Sequence, residues 1–399
     1  MLTSRTLSTK SPARSTKSPA SKEGAVGAGL AAPSWFTPSH PLLTSANTKR
    51  SAHMLNDGYP STAAHARGRV GTLGQVARID QYVATGGSEN GTRVVRFVNG
   101  GGLELEIHLD RAFDLGRVTF AGIPFAWMSP VGMAAPGLAD TAGFGWLKTF
   151  GGGLLATCGL DAIGDPSRSS NGDSYALHGR FGTLPATLTR AVIDGEQLIL
   201  EAETRQVAVH GENFVLRRSI TSAVGSSGFR LTDTVTNEGS TDQPHMILYH
   251  LNLGWPLISP ATQFSSPALQ VTPENDDARA ATERWSTITE PDARSKSLVF
   301  RHHLPLEPRT VVRVTNPETQ IALEIDFDAT TLPHLHQWKV MQPGQYVVGI
   351  EPSNSATLKG REAAAELGLL PSLAAGASIV YQIDFTFSAG AGTTQREKP

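Results

Sequence analysis

The sequence predicts an all-β protein, a large antiparallel β-sandwich with few short helices. The first observation is the stretch "TRVVRFVNGGGLELEIHLDRAFDLGRVTFAGIPFAWMSP", in which short apolar or alternating runs are separated by Gly, Asn-Gly and Pro. Such runs are typical of antiparallel strands joined by tight turns. The second is that the pattern continues to the end of the chain with almost no helices between the runs. The third is the lack of a 40-residue repeat of the kind that a propeller shows.

The runs that predict strands can be read in order along the chain. They include "TRVVRFV", "LELEIHL", "QLILEAETRQVAV", "NFVLRRSITSAV", "FRLTDTVTNEG", "HMILYHLNLG", "TVVRVTNP", "QIALEIDFD", "YVVGIEP" and "SIVYQIDFTFS". Alternation in the last run predicts that Ile379, Tyr381, Ile383 and Phe385 share one face of a sheet. The best helix is "REAAAELGLLP" (361–371), which is short and ends in Gly and Pro signals.

We divide the chain into three parts. Residues 1–65 are expected to be a disordered, basic tail rich in Ser, Thr and Pro, because "STKSPARSTKSPASK" has little apolar surface to bury. Residues 66–388 form the β-sandwich domain, and residues 389–399 a second disordered tail. The N-terminal part also has the composition of an organellar transit peptide, but it shows no clear amphipathic helix. A plain tail, or an extension upstream of a start at Met54, and a cytoplasmic location are therefore favoured over organelle targeting.

Composition narrows the class of partner. The 399 residues are 39% hydrophobic and 18% charged, as in globular proteins, and the net charge is −2. Residues 1–56 hold seven Lys or Arg and one acid, which leaves 27 basic and 35 acidic residues and about −8 elsewhere. This acidic body argues against a nucleic-acid partner, and no apolar run approaches the roughly 20 residues of a membrane-spanning helix. We expect a small-molecule partner and a monomer or homodimer. The single Cys158 excludes an internal disulfide and a cysteine-based zinc cluster.

Three places put ionisable side chains at or beside predicted strands. They are His178 with Arg180 in "YALHGRFGTLPA", His250 with Asn252 in "ILYHLNLGWP", and Glu351 at the end of "YVVGIEPSN". A single strand histidine is more often structural than catalytic. Together, however, two imidazoles and a carboxylate can open a sugar hemiacetal, because one group takes the proton of the anomeric hydroxyl while another protonates the ring oxygen. Burial would raise the pKa of Glu351 towards neutrality, and a neighbouring carboxylate would help to keep a histidine charged.

Five motifs in order resemble the galactose mutarotase-like, or aldose 1-epimerase, superfamily. They are "DRAFDLG" (110–116), "GGLLATCGL" (152–160), "LHGRFG" (177–182), "YHLNLGWP" (249–256) and "EPSN" (351–354). The resemblance is nearest to the branch of epimerase-like proteins of unknown function, the DUF4432 type. It runs from about Arg69 to Phe387 and implies a large antiparallel sandwich of the supersandwich type. It also implies a cofactor-independent aldose 1-epimerase, or mutarotase, that acts without a metal.

The resemblance also implies roles for particular residues. His250 matches the general acid that protonates the ring oxygen, Glu351 the general base on the anomeric hydroxyl, and His178 a histidine that hydrogen-bonds and orients the sugar. Arg111 is a weaker match to a substrate-binding arginine, since the usual surrounding motif is absent here. The aspartate that typical mutarotases use for sugar hydroxyls has no clear counterpart.

Further substrate-binding candidates come from the residues themselves. Asn252 and Trp255 follow His250, and Gln337, Trp338 and Lys339 lie in "LPHLHQWKVM", where His334 and His336 would share a strand face. We prefer a polar cleft rim with the indole of Trp338 stacked on a sugar ring over a metal pair there, and Trp255 is a second such aromatic residue. Arg180 and Lys339 would be able to accept an anionic sugar, such as a phosphate or uronate.

Three other functions remain open at this stage. A carbohydrate-binding protein would keep the cleft without the chemistry, although it would not need an acid and a base together. A sugar lyase would use Tyr249 as the base and Arg180 to neutralise a uronate. A metal-dependent isomerase would need His178, His245, His250 and Glu351 together. The odd spacing of His245 and His250 opposes it, because it puts them on opposite faces of a strand.

Overall fold

The computed structural model describes residues 60–390. The predicted tails therefore lie almost wholly outside the described residues. Helix α1 (Ala63–Arg67) spans the predicted boundary at residue 66, and the last strand ends at Ala389, one residue beyond the predicted 388. Ala63 is fully buried, and its amide donates a hydrogen bond to the carboxylate of Glu196, so the packed structure begins upstream of residue 66. Within the described residues, no helix is both long enough and apolar enough to cross a membrane.

Strands dominate the described part of the chain. In order they are β1 (Arg78–Val83), β2 (Arg93–Val98), β3 (Leu103–His108), β4 (Asp114–Phe120), β5 (Ile123–Pro124), β6 (Leu155–Leu160), β7 (Ser167–Arg168), β8 (Ser174–Tyr175), β9 (Ala186–Asp194), β10 (Gln197–Val207), β11 (Asn213–Ala223), β12 (Gly228–Asn237), β13 (Gln243–Pro244), β14 (Met246–Leu253), β15 (Gln263–Ser265), β16 (Gln270–Pro273), β17 (Leu298–His303), β18 (Thr310–Asn316), β19 (Ile321–Phe327), β20 (His334–Gln342), β21 (Gln345–Ser353), β22 (Ser372–Leu373) and β23 (Ser378–Ala389).

Helices are few and short, as predicted. Within residues 60–390, the other two α-helices are α2 (Asp276–Arg279) and α3 (Arg361–Glu366), and α3 lies where the sequence predicts a helix. Gly368, two residues beyond α3, has a φ of +67°, a conformation that favours glycine and ends the helix. Short 3₁₀ helices connect other elements: Leu73–Gln75, Gly87–Glu89, Pro136–Leu138, Gly143–Lys148, Phe181–Thr183 and Thr282–Arg284.

Two large antiparallel sheets form the sandwich. The 11-stranded sheet has the order β1-β2-β3-β4-β6-β14-β21-β20-β17-β16, with β5 paired to β4, and the 8-stranded sheet has the order β15-β18-β19-β23-β12-β11-β10-β9. β13 pairs with β22, and β7 with β8. This arrangement confirms the predicted fold class.

The apolar core lies between the two sheets. Tyr381, Ile383 and Phe385 of β23 are buried on one face, as the alternation of that strand predicts. Phe387 of the same strand packs edge-on against Phe125 of the other layer, with ring centroids 5.0 Å apart. Burial of these large rings on both sheets supplies the main driving force for holding the layers together.

A buried polar network also links the sheets. The guanidinium of Arg218 on β11 donates to both carboxylate oxygens of Asp233 on β12, at 2.8 and 2.7 Å. It also reaches across the core to Asp114 at 3.1 Å and to the hydroxyl of Thr157 at 2.9 Å. Tyr249 of β14 donates to Asp233 from the opposite sheet. Polar groups enclosed in this way are stable only when they satisfy one another, so the network fixes how the two layers meet.

Candidate functional site

A cavity of about 630 Å³ opens on the outer face of the 11-stranded sheet, away from the second sheet. Strands β14, β17, β20 and β21 form its floor, and loops from other parts of the chain form its walls. The lining residues include His178, His250, Glu351 and Trp338 among the residues that the sequence predicts. A volume in this range is typical of small-molecule sites.

Strand β14 directs His250 into the cavity. The strand is buried on both faces, and its alternate side chains divide between two clusters. Ile247, Tyr249 and Leu251 join the core between the sheets, whereas Met246 packs in a smaller cluster on the outer face. His250 has the same parity as Met246 and lines the cavity.

His245 points the other way, as the odd spacing predicts. It is buried beside Phe214 in the core, and its Nε2 lies 2.9 Å from the hydroxyl of Tyr381. The four residues proposed for a metal-dependent isomerase are therefore not brought together. Within residues 60–390, no group of three or more His, Cys, Asp or Glu side chains is placed to hold a metal ion.

Glu351 on β21 lies beside His250. Leu248 pairs with Ser353 and Leu251 with Ile350, and this register puts His250 opposite Glu351 on neighbouring strands. Nε2 of His250 is 3.3 Å from Oε1 of Glu351, and both residues are less than 5% exposed. Oε1 of Glu351 and Nδ1 of His250 have no hydrogen-bond partner among the described residues. Protein groups therefore do not fully satisfy the hydrogen-bonding capacity of the pair.

Gly349 makes room for the Glu351 carboxylate. The two residues have the same parity on β21, and a Cβ at position 349 would collide with Oε1 of Glu351 and lie 3.1 Å from Cβ of Trp338. The absence of a side chain here is therefore what allows the carboxylate to fold back over the strand towards His250.

We expect Gly349→Ala to displace the Glu351 carboxylate and to slow the reaction proposed below about 100-fold, because a misplacement of about 1 Å costs roughly that factor. Sugar anomer exchange measures this change. Gly86→Ala is the matched control, since a Cβ at Gly86 meets nothing within 4 Å. Equal rates for Gly349→Ala and the wild type would show that the carboxylate position is unimportant.

His178 approaches the pair from a loop. Its φ of +59° is unusual for a residue other than glycine, and such a conformation is often held in place at functional sites. Nδ1 accepts a hydrogen bond from the amide of Gly164 at 3.4 Å, and the ring lies 4.8 Å from that of Trp146 and 5.6 Å from that of His250. Because Nδ1 accepts, Nε2 of the neutral ring carries the proton and is a donor.

The pKa values of the pair differ from the expectation in one respect. Burial raises the pKa of Glu351 to about 7, as predicted for a desolvated carboxyl group. Burial, and then the nearby His178, lowers the pKa of His250 to about 3. The expectation that the carboxylate keeps His250 charged is therefore not met. His250 is therefore neutral, and near pH 7 the pair carries at most one titratable proton, on Glu351.

Aromatic rings enclose the reactive pair. The rings of Phe150, Trp338 and Trp146 lie 5.3, 5.5 and 6.1 Å from that of His250. Trp338 is oriented by its indole N–H, which donates to the hydroxyl of Ser297 at 2.9 Å. These rings exclude water, which explains the burial of the pair, and they offer faces on which a sugar ring can stack.

Three predicted substrate-binding residues lie outside the cavity and are held by other protein groups. Arg111 is buried and donates to the carbonyl of Ala134. Arg180 donates to the carboxylate of Glu212 at 2.7 Å and to a backbone carbonyl. Trp255 is 70% exposed on the surface. The two residues of the lyase alternative are not in the cavity either, because Tyr249 faces the core and Arg180 is paired with Glu212.

Three more of the predicted substrate-binding residues are buried and hydrogen-bonded to protein groups that hold the strands in place. Asn252 donates to the carbonyls of Gly153 and His250, which holds the end of β14 in place. Gln337 is buried on the opposite face of β20 from Trp338 and contacts His302. The ammonium group of Lys339 donates to three backbone carbonyls, between 2.7 and 3.0 Å away. Neither Lys339 nor Arg180 is therefore placed to bind an anionic sugar.

Sequence reasoning missed several residues that line the cavity. Trp146 and Phe150 come from an irregular loop without a strand pattern, and Glu274, Arg301 and Lys359 come from separate segments. The alternation of "HLHQWKV" did signal that His334 and His336 share a face, but not what lies opposite them. Only the strand register reveals those neighbours.

The fold and the site define a galactose mutarotase-like sandwich protein. Residues 89–387 match the model of a family described as a domain of unknown function, DUF4432, and the chain belongs to this family. No curated protein matches the chain.

Several solved structures also resemble this chain. A Klebsiella pneumoniae protein, described as a candidate aldose 1-epimerase, is 25% identical, with a TM-score of 0.73 over 78% of this chain and 83% of its own. A galactose mutarotase-like protein from Clostridium acetobutylicum is 12% identical, with a TM-score of 0.57 over 79% of this chain and 99% of its own. Slr1438 from Synechocystis is 16% identical, with a TM-score of 0.56 over 75% and 96%. The last two likenesses are evidence for the fold alone.

Proposed function

We propose that this protein is an aldose 1-epimerase-like isomerase that interconverts the anomers of a monosaccharide by acid–base ring opening. The observation that carries the proposal is the approach of His250 and Glu351 to 3.3 Å at the floor of an aromatic-lined cavity. Two proton-transfer groups beside one another in a desolvated site are the equipment that acid–base catalysis needs.

The proton count of the reaction balances when His250 and Glu351 share one titratable proton. His250 gives a proton to the ring oxygen while Glu351 takes the proton of the anomeric hydroxyl, and the bond between C1 and the ring oxygen breaks to leave an open-chain aldehyde. Rotation about the C1–C2 bond exposes the other face of the carbonyl. Ring closure then returns each proton along the same path. His250 and Glu351 lie 3.3 Å apart, so the proton that Glu351 carries at rest reaches His250 with a small adjustment of either side chain, and the pair then has the protonation that ring opening needs.

His178 and Trp338 have supporting roles in this proposal. Nε2–H of His178 donates to a sugar oxygen and so orients the ring, and the indole of Trp338 stacks on its apolar face. The carbohydrate-binding alternative keeps both contacts and lacks only the turnover, so a measurement of rate separates it from the enzyme.

The proposal is tested by saturation-transfer NMR of anomer exchange. The panel contains galactose, glucose, fucose, deoxyribose, lyxose and uronic acids, each with wild-type protein and a chelator. Acceleration for at least one sugar supports the proposal. Saturable binding without any acceleration would instead make the protein a carbohydrate-binding module.

The pH profile is a second prediction. Because catalysis needs one proton on the pair, exchange should slow as pH rises through the pKa of Glu351, about 7, and again below the pKa of His250, about 3. The apparent values belong to the coupled pair. A rate that rises through pH 7 would contradict the shared proton and leave ionised Glu351 acting with another acid.

We further expect Trp338→Ala to raise the Kd of the sugar about tenfold, which corresponds to about 1.4 kcal/mol and lies within the range of a single aromatic contact. Trp338→Phe should raise the Kd by a smaller factor. Titration calorimetry measures both. Trp255→Ala is the control, since that indole lies outside the cavity, and an equal loss in Trp255→Ala would mean that the sugar binds elsewhere.

A further inference from the structure

A row of ionisable side chains crosses the cavity floor from strand to strand. Glu351 on β21 pairs with His336 on β20, and His336 pairs in turn with Arg301 on β17. His250 stands on the other side of Glu351, on β14. The carboxyl group proposed to exchange protons is therefore flanked by two histidines on the same face of the sheet.

The hydrogen bonds of His336 define its charge. Its Nδ1 lies 3.1 Å from a carboxylate oxygen of Glu274, and its Nε2 lies 3.0 Å from the carbonyl oxygen of Ser355. A carbonyl only accepts hydrogen bonds, and so does an ionised carboxylate, so both ring nitrogens must carry protons. His336 is fully buried, and a buried imidazolium needs such a partner.

The protonation of both partners agrees with this geometry. Burial opposes the charge on His336, but the hydrogen bond and charge of Glu274 outweigh it and raise the pKa of the ring. Burial likewise opposes ionisation of Glu274, yet His336 lowers the pKa of that carboxyl group. The two residues form an ion pair in which each stabilises the charge of the other.

Other charged or titratable groups surround Glu351 and His336. Burial is the largest influence on the pKa of Glu351; His336 then lowers it and Glu274 raises it. The groups that face this region from the neighbouring elements are His250 on β14, Cys158 on β6, Arg301 and His303 on β17, His334 on β20, His178 in its loop, and Lys359 beside Glu274, whereas His302 lies on the opposite face of β17. Of all the cations near Glu351, His336 acts most strongly on the pKa of this carboxyl group.

We propose that Glu274 and His336 form a permanent ion pair beside Glu351. The imidazolium of His336 allows the carboxyl group of Glu351 to release its proton inside an apolar cavity. His336 is thus a positioning residue that acts through Glu351 and does not touch the sugar. The inference rests on the proposed function, because it explains how Glu351 titrates within the working pH range.

The test compares two variants with the wild type. Glu274→Gln keeps a hydrogen-bond acceptor but removes the charge that holds the imidazolium, and His336→Gln removes the cation itself. Infrared difference titration with ¹³C-labelled glutamate follows the carboxyl band of Glu351, which is identified by its loss in Glu351→Gln. We expect the titration midpoint to rise by about one pH unit or more in His336→Gln, as expected for the loss of a neighbouring opposite charge. The rise in Glu274→Gln should be smaller, because the Glu274 anion that this variant removes itself raises the pKa of Glu351 in the wild type.

Asp276→Asn is the matched control for removal of a negative charge. Asp276 lies two residues from Glu274 and is paired with Arg279 in solvent, where its charge is screened. We expect no shift of the Glu351 midpoint in this variant. ¹⁵N NMR of labelled histidine adds a readout on the wild type, in which both nitrogens of His336 should be protonated at pH 7.

Two results would overturn the inference: an unchanged Glu351 midpoint in His336→Gln, or a neutral His336 in the wild type. If His336→Gln fails to fold, ¹⁵N NMR decides: we expect His336 to carry both protons in the wild type at pH 7 and to lose one of them in Glu274→Gln. Failure of the proposed function is distinguishable, because a protein without anomer exchange can still show the midpoint shift. Where exchange is active, its alkaline limb should move upward with the midpoint in His336→Gln, which a purely structural role would not produce.

Discussion

Glu351→Gln is expected to lower the rate of anomer exchange by about 100- to 10,000-fold, the range that one general acid–base group supplies. The amide keeps the shape of the carboxyl group but cannot take or give the proton. Sugar binding should persist, because Trp338 and His178 remain in place. Saturation-transfer NMR gives the rate, and titration calorimetry gives the Kd.

The same variant separates loss of chemistry from loss of structure. The buried carboxyl group has a pKa raised to about 7 in the folded chain, so its ionisation favours the unfolded chain as pH rises above the ordinary value and up to about 7. Removing it should therefore leave the melting temperature at pH 8 unchanged or higher. A large drop in melting temperature would mean that Glu351 acts as a structural carboxylate at the end of its strand.

Arg218→Met is expected to lower the free energy of unfolding by about 3–5 kcal/mol, because it leaves Asp233 and Asp114 buried without their cation. Urea denaturation measures the loss. Arg217→Met is the matched control on the same strand: Arg217 is half exposed and pairs with Glu203 and Glu238 at the surface. We expect it to cost at most about 1 kcal/mol.

Equal losses in the two arginine variants would show that the buried network adds nothing beyond a surface pair. The network also bears on the site, because Tyr249 donates to Asp233 and directly precedes His250 on β14. Loss of Arg218 is therefore expected to loosen the strand that carries His250.

The sandwich was predictable because the apolar alternation of each strand is visible in the residues of that strand alone. Each predicted run has its own pattern of apolar residues, and the burial of Tyr381 and Ile383 on β23 follows that pattern directly. Parity likewise separates His245 from His250 before any partner is known. Features that depend on one strand, or on one turn such as the end of α3, are accessible from sequence.

The site was only partly predictable because it depends on the neighbours of each strand. Arg180 and Lys339 look free in the sequence, yet their partners, Glu212 and the carbonyls near Trp285, are distant in the chain. The aromatic walls come from a loop without a periodic pattern. Burial of His250 among those walls, invisible in the sequence, reverses its expected charge.

The account depends on His250 and Glu351 acting as one unit. The most direct test measures anomer exchange of the sugar that the panel identifies, in wild-type protein, His250→Ala, Glu351→Ala and the double variant. We predict acceleration by the wild type, its loss in each single variant, and no further loss in the double variant, since groups that act together are not additive. Acceleration retained in either single variant would contradict the account.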